Sequence, residues 1–356
     1  MTKISVRRFC ESIPWRKYPY VAVSSGGWLN KTNQYLPELL NAKKLIVPKN
    51  DKAAKKCAGF VQWGILESES KRQLREHAAK LKRPLAFIED GFIRSLGLGL
   101  SQEPGRSIIL DDLTFYYDAT KPSRLETILN SSEKIGFWKR RQALKAITFI
   151  TKHKVSKYNN APEKLPDSLT AERRRRRILL IDQRAGDASI AGALASDENF
   201  RFMLERAFED ADAEVIVKIH PDALCPGKSS AISPSLSAYE ANKRLTIVSD
   251  AVNPYSLFAA VDEVYVVASG MGFEALMAGK PVTCFGVPYY AGWGVTTDAV
   301  TIPRRTQRRT IEEIFFVAWM QMSRYVDPKS RRLVSVMRAA RIMAEDVATA
   351  GSRPTS

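Results

Sequence analysis

Cysteine and histidine are scarce in this chain. Four cysteines (Cys10, Cys57, Cys225 and Cys284) lie far apart with no C-x-x-C pair. That excludes the usual zinc sites and argues against a disulfide framework. Three histidines, His77, His153 and His220, are too few for a histidine-rich metal centre. No stretch approaches the ~18 consecutive apolar residues of a membrane span. The N-terminal segment carries basic residues but no apolar h-region, so it does not read as a secretory signal, and a cytoplasmic location is expected. Internal repeats and long low-complexity tracts are absent. Acidic residues are in deficit as well: Asp and Glu number 38 against 55 Lys and Arg, a net charge of +17. Such a balance implies anionic company, whether nucleic acid, anionic lipid or acidic small molecules, and charge alone does not choose among them.

What is present is ordinary for a soluble globular protein. Of 356 residues, 45% are hydrophobic and 26% charged, enough for about two domains of ~150 residues each. In the first half, apolar runs at 19–25, 44–47, 58–64 and 84–88 alternate with helix-patterned stretches at 33–40 and 68–82. Alternation with short connections predicts a parallel, doubly wound sheet. A long basic helix is expected over 136–157, then a Pro-containing stretch ending in Arg173–Arg177. This shift in composition marks a boundary. The arginine run reads either as a solvated charge run or as a contact for an anionic surface.

The second half repeats the pattern, with strands at 178–181, 214–219, 245–248, 263–267 and 282–285 and helices between them. Two long helices, 310–325 and 330–348, are expected to finish the chain. The expected organisation is a first α/β domain over 1–160, a basic linker over 161–177, a second domain over 178–305 and helices over 306–356. Two such domains facing each other would hold ligands at the C-terminal ends of their strands.

The polar motifs all follow predicted strands. Ser269-Gly270-Met271-Gly272-Phe273-Glu274 opens a helix, where free N–H groups and the helix dipole favour phosphate. Glu274 in the first turn would accept from a ribose hydroxyl. A plain strand-to-helix turn is the alternative, since neither a G-x-G-x-x-G nor a Walker A pattern is present. Lys218-Ile219-His220-Pro221 places a histidine at a strand end, suited to donate to a phosphate or leaving group, or simply a turn histidine. Glu89-Asp90-Gly91 offers a general base, or a surface turn; adjacent side chains on a strand point oppositely, so one of the two carboxylates faces the cleft. Arg94 follows, placed to hold an anionic group.

Asp182 comes directly after the run Ile178–Ile181 and leads into Gln183-Arg184-Ala185-Gly186-Asp187-Ala188-Ser189. Within that string Asp187 or Ser189 reads as a helix cap. The loop 286–294, with Tyr289, Tyr290 and Trp293 among glycines, suits sugar or base stacking, or packs on the core as a compact loop.

Taken together, the strings FIEDGFIRSLGLG (87–99), DQRAGDASI (182–190), KIHPD (218–222) and SGMGFEALMAGKPVTCFGVPYYAGWG (269–294) resemble the KpsC/LipA family of capsule polysaccharide proteins, Kdo glycosyltransferases of bacterial capsule assembly. The acidic-Gly and His-Pro pairing is also similar to that of bacterial sialyltransferases. The resemblance implies a GT-B-like α/β fold of two Rossmann-like domains facing a cleft, with no cofactor and CMP-β-Kdo as donor substrate. It further implies transfer with retention onto a lipid-linked Kdo acceptor, building a poly-Kdo linker.

By position, the resemblance assigns His220 to the CMP phosphate, with Lys218 beside it. Ser269, Gly270 and Gly272 fall near that phosphate, and Glu274 near the ribose. Asp182 is then expected as nucleophile and Glu89 or Asp90 as acid/base, or the reverse. Arg94 and Arg184 are candidates for the Kdo carboxylates, and no metal is required. Expected partners are the donor, the lipid-linked acceptor, the anionic inner face of the cytoplasmic membrane and other capsule assembly proteins. Nucleic acid is not among them, because the aromatics do not interleave with the basic runs. The rival reading is a non-catalytic partner in polysaccharide export with the same fold.

Overall fold

The computed structural model describes residues 20–98, 103–170 and 175–351. Its strands form two sheets. The first holds β1 (Tyr20–Val23), β2 (Lys44–Ile46), β3 (Cys57–Trp63), β4 (Leu85–Asp90) and β5 (Ser107–Asp111). Its order is β2-β1-β3-β4-β5, extended by β12 (Ser323–Asp327) and β13 (Arg332–Val334). Strands β2, β1, β3 and β4 are parallel, whereas β5, β12 and β13 pair antiparallel in succession.

The second sheet is parallel throughout, in the order β8-β7-β6-β9-β10-β11. These are β6 (Arg176–Ile181), β7 (Ala213–Lys218), β8 (Leu245–Val248), β9 (Glu263–Val266), β10 (Val282–Cys284) and β11 (Thr297–Asp298). Counted within the sheet this is 3-2-1-4-5-6, whose connections diverge between β6 and β9. Strand β6 is central, and Ile178–Ile181 are buried on both faces. A continuous apolar run, rather than alternation, is what such a position requires.

The chain end departs from the sequence reading. Thr310 and Glu313 form a capping box at Ile311–Phe315, and the helix continues as a π-helical turn to Gln321. Residues 323–334 are then a β-hairpin rather than helix, because antiparallel pairing with β5 satisfies an otherwise open sheet edge. Only Val336–Gly351 forms the last helix. The chain thus returns to its first sheet, and the described part of the expected helical segment, 306–351, is not a separate helical appendage.

The long basic helix, α1 (Phe137–Lys152), is shorter than expected. Lys154 takes a left-handed conformation (φ 52°), which ends the helix and turns the chain inward. The following stretch straps the two halves together. Arg94 N donates to Lys157 O at 3.0 Å and Asn159 N to Leu96 O at 2.8 Å on the first side. On the other, Asn253 Nδ2 donates to Lys154 O and Ser156 Oγ to Glu274 Oε1.

Loop 286–294 is core rather than a stacking platform: Tyr289, Tyr290 and Trp293 are buried. Phe92 and Tyr116 of the first half meet Tyr289 there, both at 5.5 Å between ring centroids, and Phe92 stacks on Trp319 at 4.6 Å. Of the arginine run, Arg176 pairs with Asp210 and Glu263, and Arg177 is buried against Glu214. Those two are engaged in ion pairs within the fold, Arg176 from an exposed position; Arg173 and Arg174 lie outside the described residues.

Candidate active site

Strand β4 delivers two carboxylates to the cleft side of the first sheet. As the pleat demands, they diverge. Glu89 Oε1 accepts from Trp63 Nε1 at 2.8 Å, and Tyr117 Oη lies 3.5 Å from Oε2. Burial, reinforced by the adjacent Asp90, pushes the Glu89 carboxyl above its ordinary range. Asp90 instead faces Arg94, with Oδ2 2.8 Å from Nε. Arg94 is buried and ion-paired within its own loop. Gly91 has a steric cause: a Cβ there would lie 2.7 Å from Ser107 Cβ on the adjacent strand.

Lys157 on the strap lies beside these carboxylates. Burial alone would lower its pKa, but Tyr158, Asp90, Tyr116 and Glu89 raise it well above the ordinary lysine value. It is therefore a fixed cation beside the acidic pair. Neither composition nor spacing singles it out, because its neighbours are about 70 residues away.

In the second sheet, Asp182 occupies the divergence point just past β6 and is 1% exposed. Its Oδ2 accepts from His220 N and its Oδ1 from Ile232 N, both at 3.1 Å. Both oxygens are bound to backbone, so this carboxylate positions the His220 strand end, which weighs against the expected role as nucleophile. Gln183 Oε1 accepts from Ala268 N at 2.8 Å and ties the end of β6 to the segment leading into Ser269. Asp182, His220 and Ser269 therefore gather at one set of strand ends.

Lys218 Nζ is buried and donates to Ile219 O at 2.8 Å. Burial pulls its pKa down to about 8, and its reach is spent on backbone rather than donor phosphate. Half-buried His220 stands at the end of β7. Ser269 Oγ accepts from Met271 N, and Ser269 O accepts from Tyr290 Oη at 2.6 Å. Gly270 opens on solvent with nothing around it, whereas a Cβ on Gly272 would overlap the Tyr290 hydroxyl. The second glycine thus serves packing rather than phosphate approach. Glu274 is buried and accepts from Ser156 Oγ at 2.7 Å; burial raises its carboxyl to about 7. It holds the strap and does not face a ribose.

The turn between Asp182 and the next helix holds Asp187, which the sequence names as a candidate helix cap. Asp187 N donates to Arg184 O at 3.1 Å, and Gly186 at φ +72° makes that turn possible. Asp187 caps the short helix α2 (Ala188–Gly192) through Oδ1, which accepts from Ser189 N at 2.8 Å. Its Oδ2 has no hydrogen-bond partner among the described residues. Gly192 lies under the Tyr117 ring, and Ala119 N donates to Gly192 O at 2.6 Å. Burial raises the Tyr116 and Tyr117 hydroxyls, and the charges of Glu89 and Asp187 add to both. Both tyrosines thus feel a carboxylate of each half. Arg184 is half-buried, and its side chain has no hydrogen-bond or ion-pair partner among the described residues. The only advance signal for Asp187 was its place after a glycine turn, which a cap explains equally well.

These features define a two-lobed α/β protein of GT-B-like form, with polar strand ends of both sheets turned to a shared cleft. A profile of the family described as capsule polysaccharide biosynthesis protein matches residues 59–326. The chain belongs to that family, as a KpsC/LipA-type member. It is 39% identical over 287 residues to the capsule polysaccharide modification protein LipA of Neisseria meningitidis serogroup B, covering 78% of this chain and 40% of LipA. It is 35% identical over 271 residues to the lipopolysaccharide-processing protein LpsZ of Rhizobium meliloti, covering 75% of this chain and 59% of LpsZ. The chain thus spans about two-fifths to three-fifths of these relatives' lengths. Among solved structures it is similar to the β-Kdo 2,4-transferase of Thermosulfurimonas dismutans KpsC, at 34% identity with a TM-score of 0.81, covering 92% of this chain and 98% of that one. The β-Kdo 2,7-transferase of the same protein aligns with a TM-score of 0.65 at 25% identity over the same shares.

Proposed function

We propose that this protein is a retaining glycosyltransferase of capsule assembly. In this reading it moves β-Kdo from CMP-β-Kdo onto a lipid-linked Kdo acceptor. Greater likeness to the 2,4-transferase than to the 2,7-transferase favours a β-2,4 linkage. The observation that carries the chemistry is Tyr117, whose hydroxyl lies 3.5 Å from Glu89 Oε2 in the first half while its ring packs on Gly192 of the helix that Asp187 caps in the second.

Retention by double displacement needs two carboxylates with different tasks. Asp187 keeps one oxygen unpartnered and is assigned as nucleophile. It attacks the anomeric carbon, the C–O bond to CMP breaks, and the phosphate leaves with the electron pair. Glu89, whose raised pKa favours holding a proton, is assigned as acid/base and gives that proton to the departing phosphate, which leaves it ionised. It takes the proton of the acceptor hydroxyl as that oxygen attacks the anomeric carbon, and the Asp187–sugar bond breaks. His220, held by Asp182, together with Ser269 and Gly270, receives the CMP phosphate. Arg184 meets the Kdo carboxylate. Asp90 and Arg94 set the charge around Glu89. We place the protein peripherally at the inner face of the cytoplasmic membrane, among other capsule assembly proteins.

The test is incubation of the full chain with CMP-Kdo and a Kdo-lipid acceptor, with mass spectrometry of product and protein. Acceptor lengthened by Kdo, with a sugar adduct on the peptide carrying Asp187, is the expected result. An adduct on Glu89 exchanges the roles. Absence of turnover by folded protein favours a non-catalytic polysaccharide-binding partner.

A further inference from the structure

Helix α1 is amphipathic in an unusual sense. Its buried stripe, Ala143, Ala146, Ile147 and Ile150, faces the core. The outward stripe is not simply polar. Phe137 is 60% exposed and Trp138 71%, with their rings edge-to-face at 5.4 Å, and Leu144 is exposed one to two turns on. Among the described residues these are the largest aromatic side chains presented to solvent together. Between them project Arg140, Arg141 and Lys145, all exposed, and Arg141 lies over the Trp138 ring. The helix holds five basic residues and no acidic one.

Two adjacent exposed aromatics are costly to leave in water and mark a surface made for contact. The accompanying charge specifies the occupant. Cationic side chains around a Trp-Phe tip match the interface of an anionic bilayer, where aromatic rings settle at headgroup depth and Lys and Arg pair with lipid phosphates. No helix among the described residues is long and apolar enough to cross a membrane, so this is surface attachment.

We propose that the outward face of α1, led by Phe137 and Trp138, docks the protein onto anionic phospholipid. The docking borrows from the transferase reading only the expectation that the acceptor resides in a bilayer.

The test is cosedimentation of the full chain with phosphatidylcholine vesicles with and without phosphatidylglycerol, at low and high salt. Two double variants are compared, Phe137→Ser with Trp138→Ser, and Arg141→Glu with Lys145→Glu. These side chains are exposed, so circular dichroism of both variants should match the parent. The parent should bind the anionic vesicles at low salt, and each variant should lose about tenfold in binding. High salt should release the parent as well. Lack of parent binding, or equal binding by the variants, overturns the proposal. So does a parent dimer dispersed by the Trp138 change without any vesicle affinity, which assigns the face to a second copy. Turnover on a short soluble Kdo acceptor separates the two readings. Vesicle binding without turnover fails the transferase alone, and turnover without vesicle binding fails the docking alone.

Discussion

Trp63 Nε1 donates to Glu89 Oε1 at 2.8 Å, joining the C-terminal end of β3 to that of β4. The same indole stacks on Trp28 at 4.8 Å between centroids, so the donor cannot easily turn away. The bond favours the ionised carboxylate, against burial, which favours the neutral acid. Replacing Trp63 with Phe should keep the stack and remove the donor. The pKa of Glu89 should then rise by roughly one unit, since a hydrogen bond to a charged group is worth about 1.5–3 kcal/mol. In a pH profile of transfer, the limb reporting Glu89 should move to higher pH while KM for the donor stays unchanged. An unmoved limb would remove Glu89 from the chemistry.

Asp182 and Asp187 should separate stability from activity. Asp182→Asn sets an amide N–H against a backbone N–H of His220 or Ile232. It should cost about 1–3 kcal/mol in a denaturant titration. Asp187→Asn keeps the capping oxygen and should leave the melting temperature nearly unchanged while abolishing transfer. The reverse ranking would restore Asp182 as the reacting carboxylate.

Gly272→Ala should destabilise the protein by about 1–3 kcal/mol, the ordinary cost of overpacking a filled core. Its Cβ would overlap the Tyr290 hydroxyl, with Val266 Cγ2 at 3.1 Å on another side. Gly270→Ala meets nothing within 4 Å and should be neutral in stability. A loss of transfer in Gly270→Ala with normal folding is the expected sign that a substrate approaches that backbone.

Glu274 supplies a pH dependence of stability. Its carboxyl is raised from the ordinary 4.5 to about 7 in the folded chain, so between those values the native state binds more protons than the unfolded one. Stability conferred by the neutral acid is complete below the unfolded pKa and falls as pH rises through about 7. The shift corresponds to about 3 kcal/mol. Glu274→Gln should flatten the stability profile between pH 5 and pH 8 relative to the parent, measured by urea titration at both. Equal slopes in the two proteins would refute the assignment.

Much of this architecture is readable before folding is considered. The apolar runs at 178–181 and 263–267, and the turns after them, place β6 and β9 and the polar residues at their ends. Glu89-Asp90-Gly91 is likewise visible as a strand-end acidic pair. The hairpin 323–334 is not: Ser323–Asp327 has a pattern that suits helix or strand, and pairing with β5, more than two hundred residues earlier, selects the strand. Tyr289, Tyr290 and Trp293 carry the composition of a binding loop, yet they pack inward because Phe92 and Trp319 bring aromatic surfaces to meet them.

Local order therefore determined the elements other than that hairpin, their polar strand ends and the basic helix, since periodicity, turn chemistry and charge act over a few residues. Tertiary structure alone decided which carboxylate has both oxygens taken by backbone and which keeps one unpartnered. Asp182 and Asp187 are alike in type and five positions apart. They differ only in whether backbone N–H groups brought from 220 and 232 occupy the oxygens. It also decided that Lys157 stands beside Asp90 and Glu89, because the charge around a buried acid is set by whatever distant chain the fold packs against it.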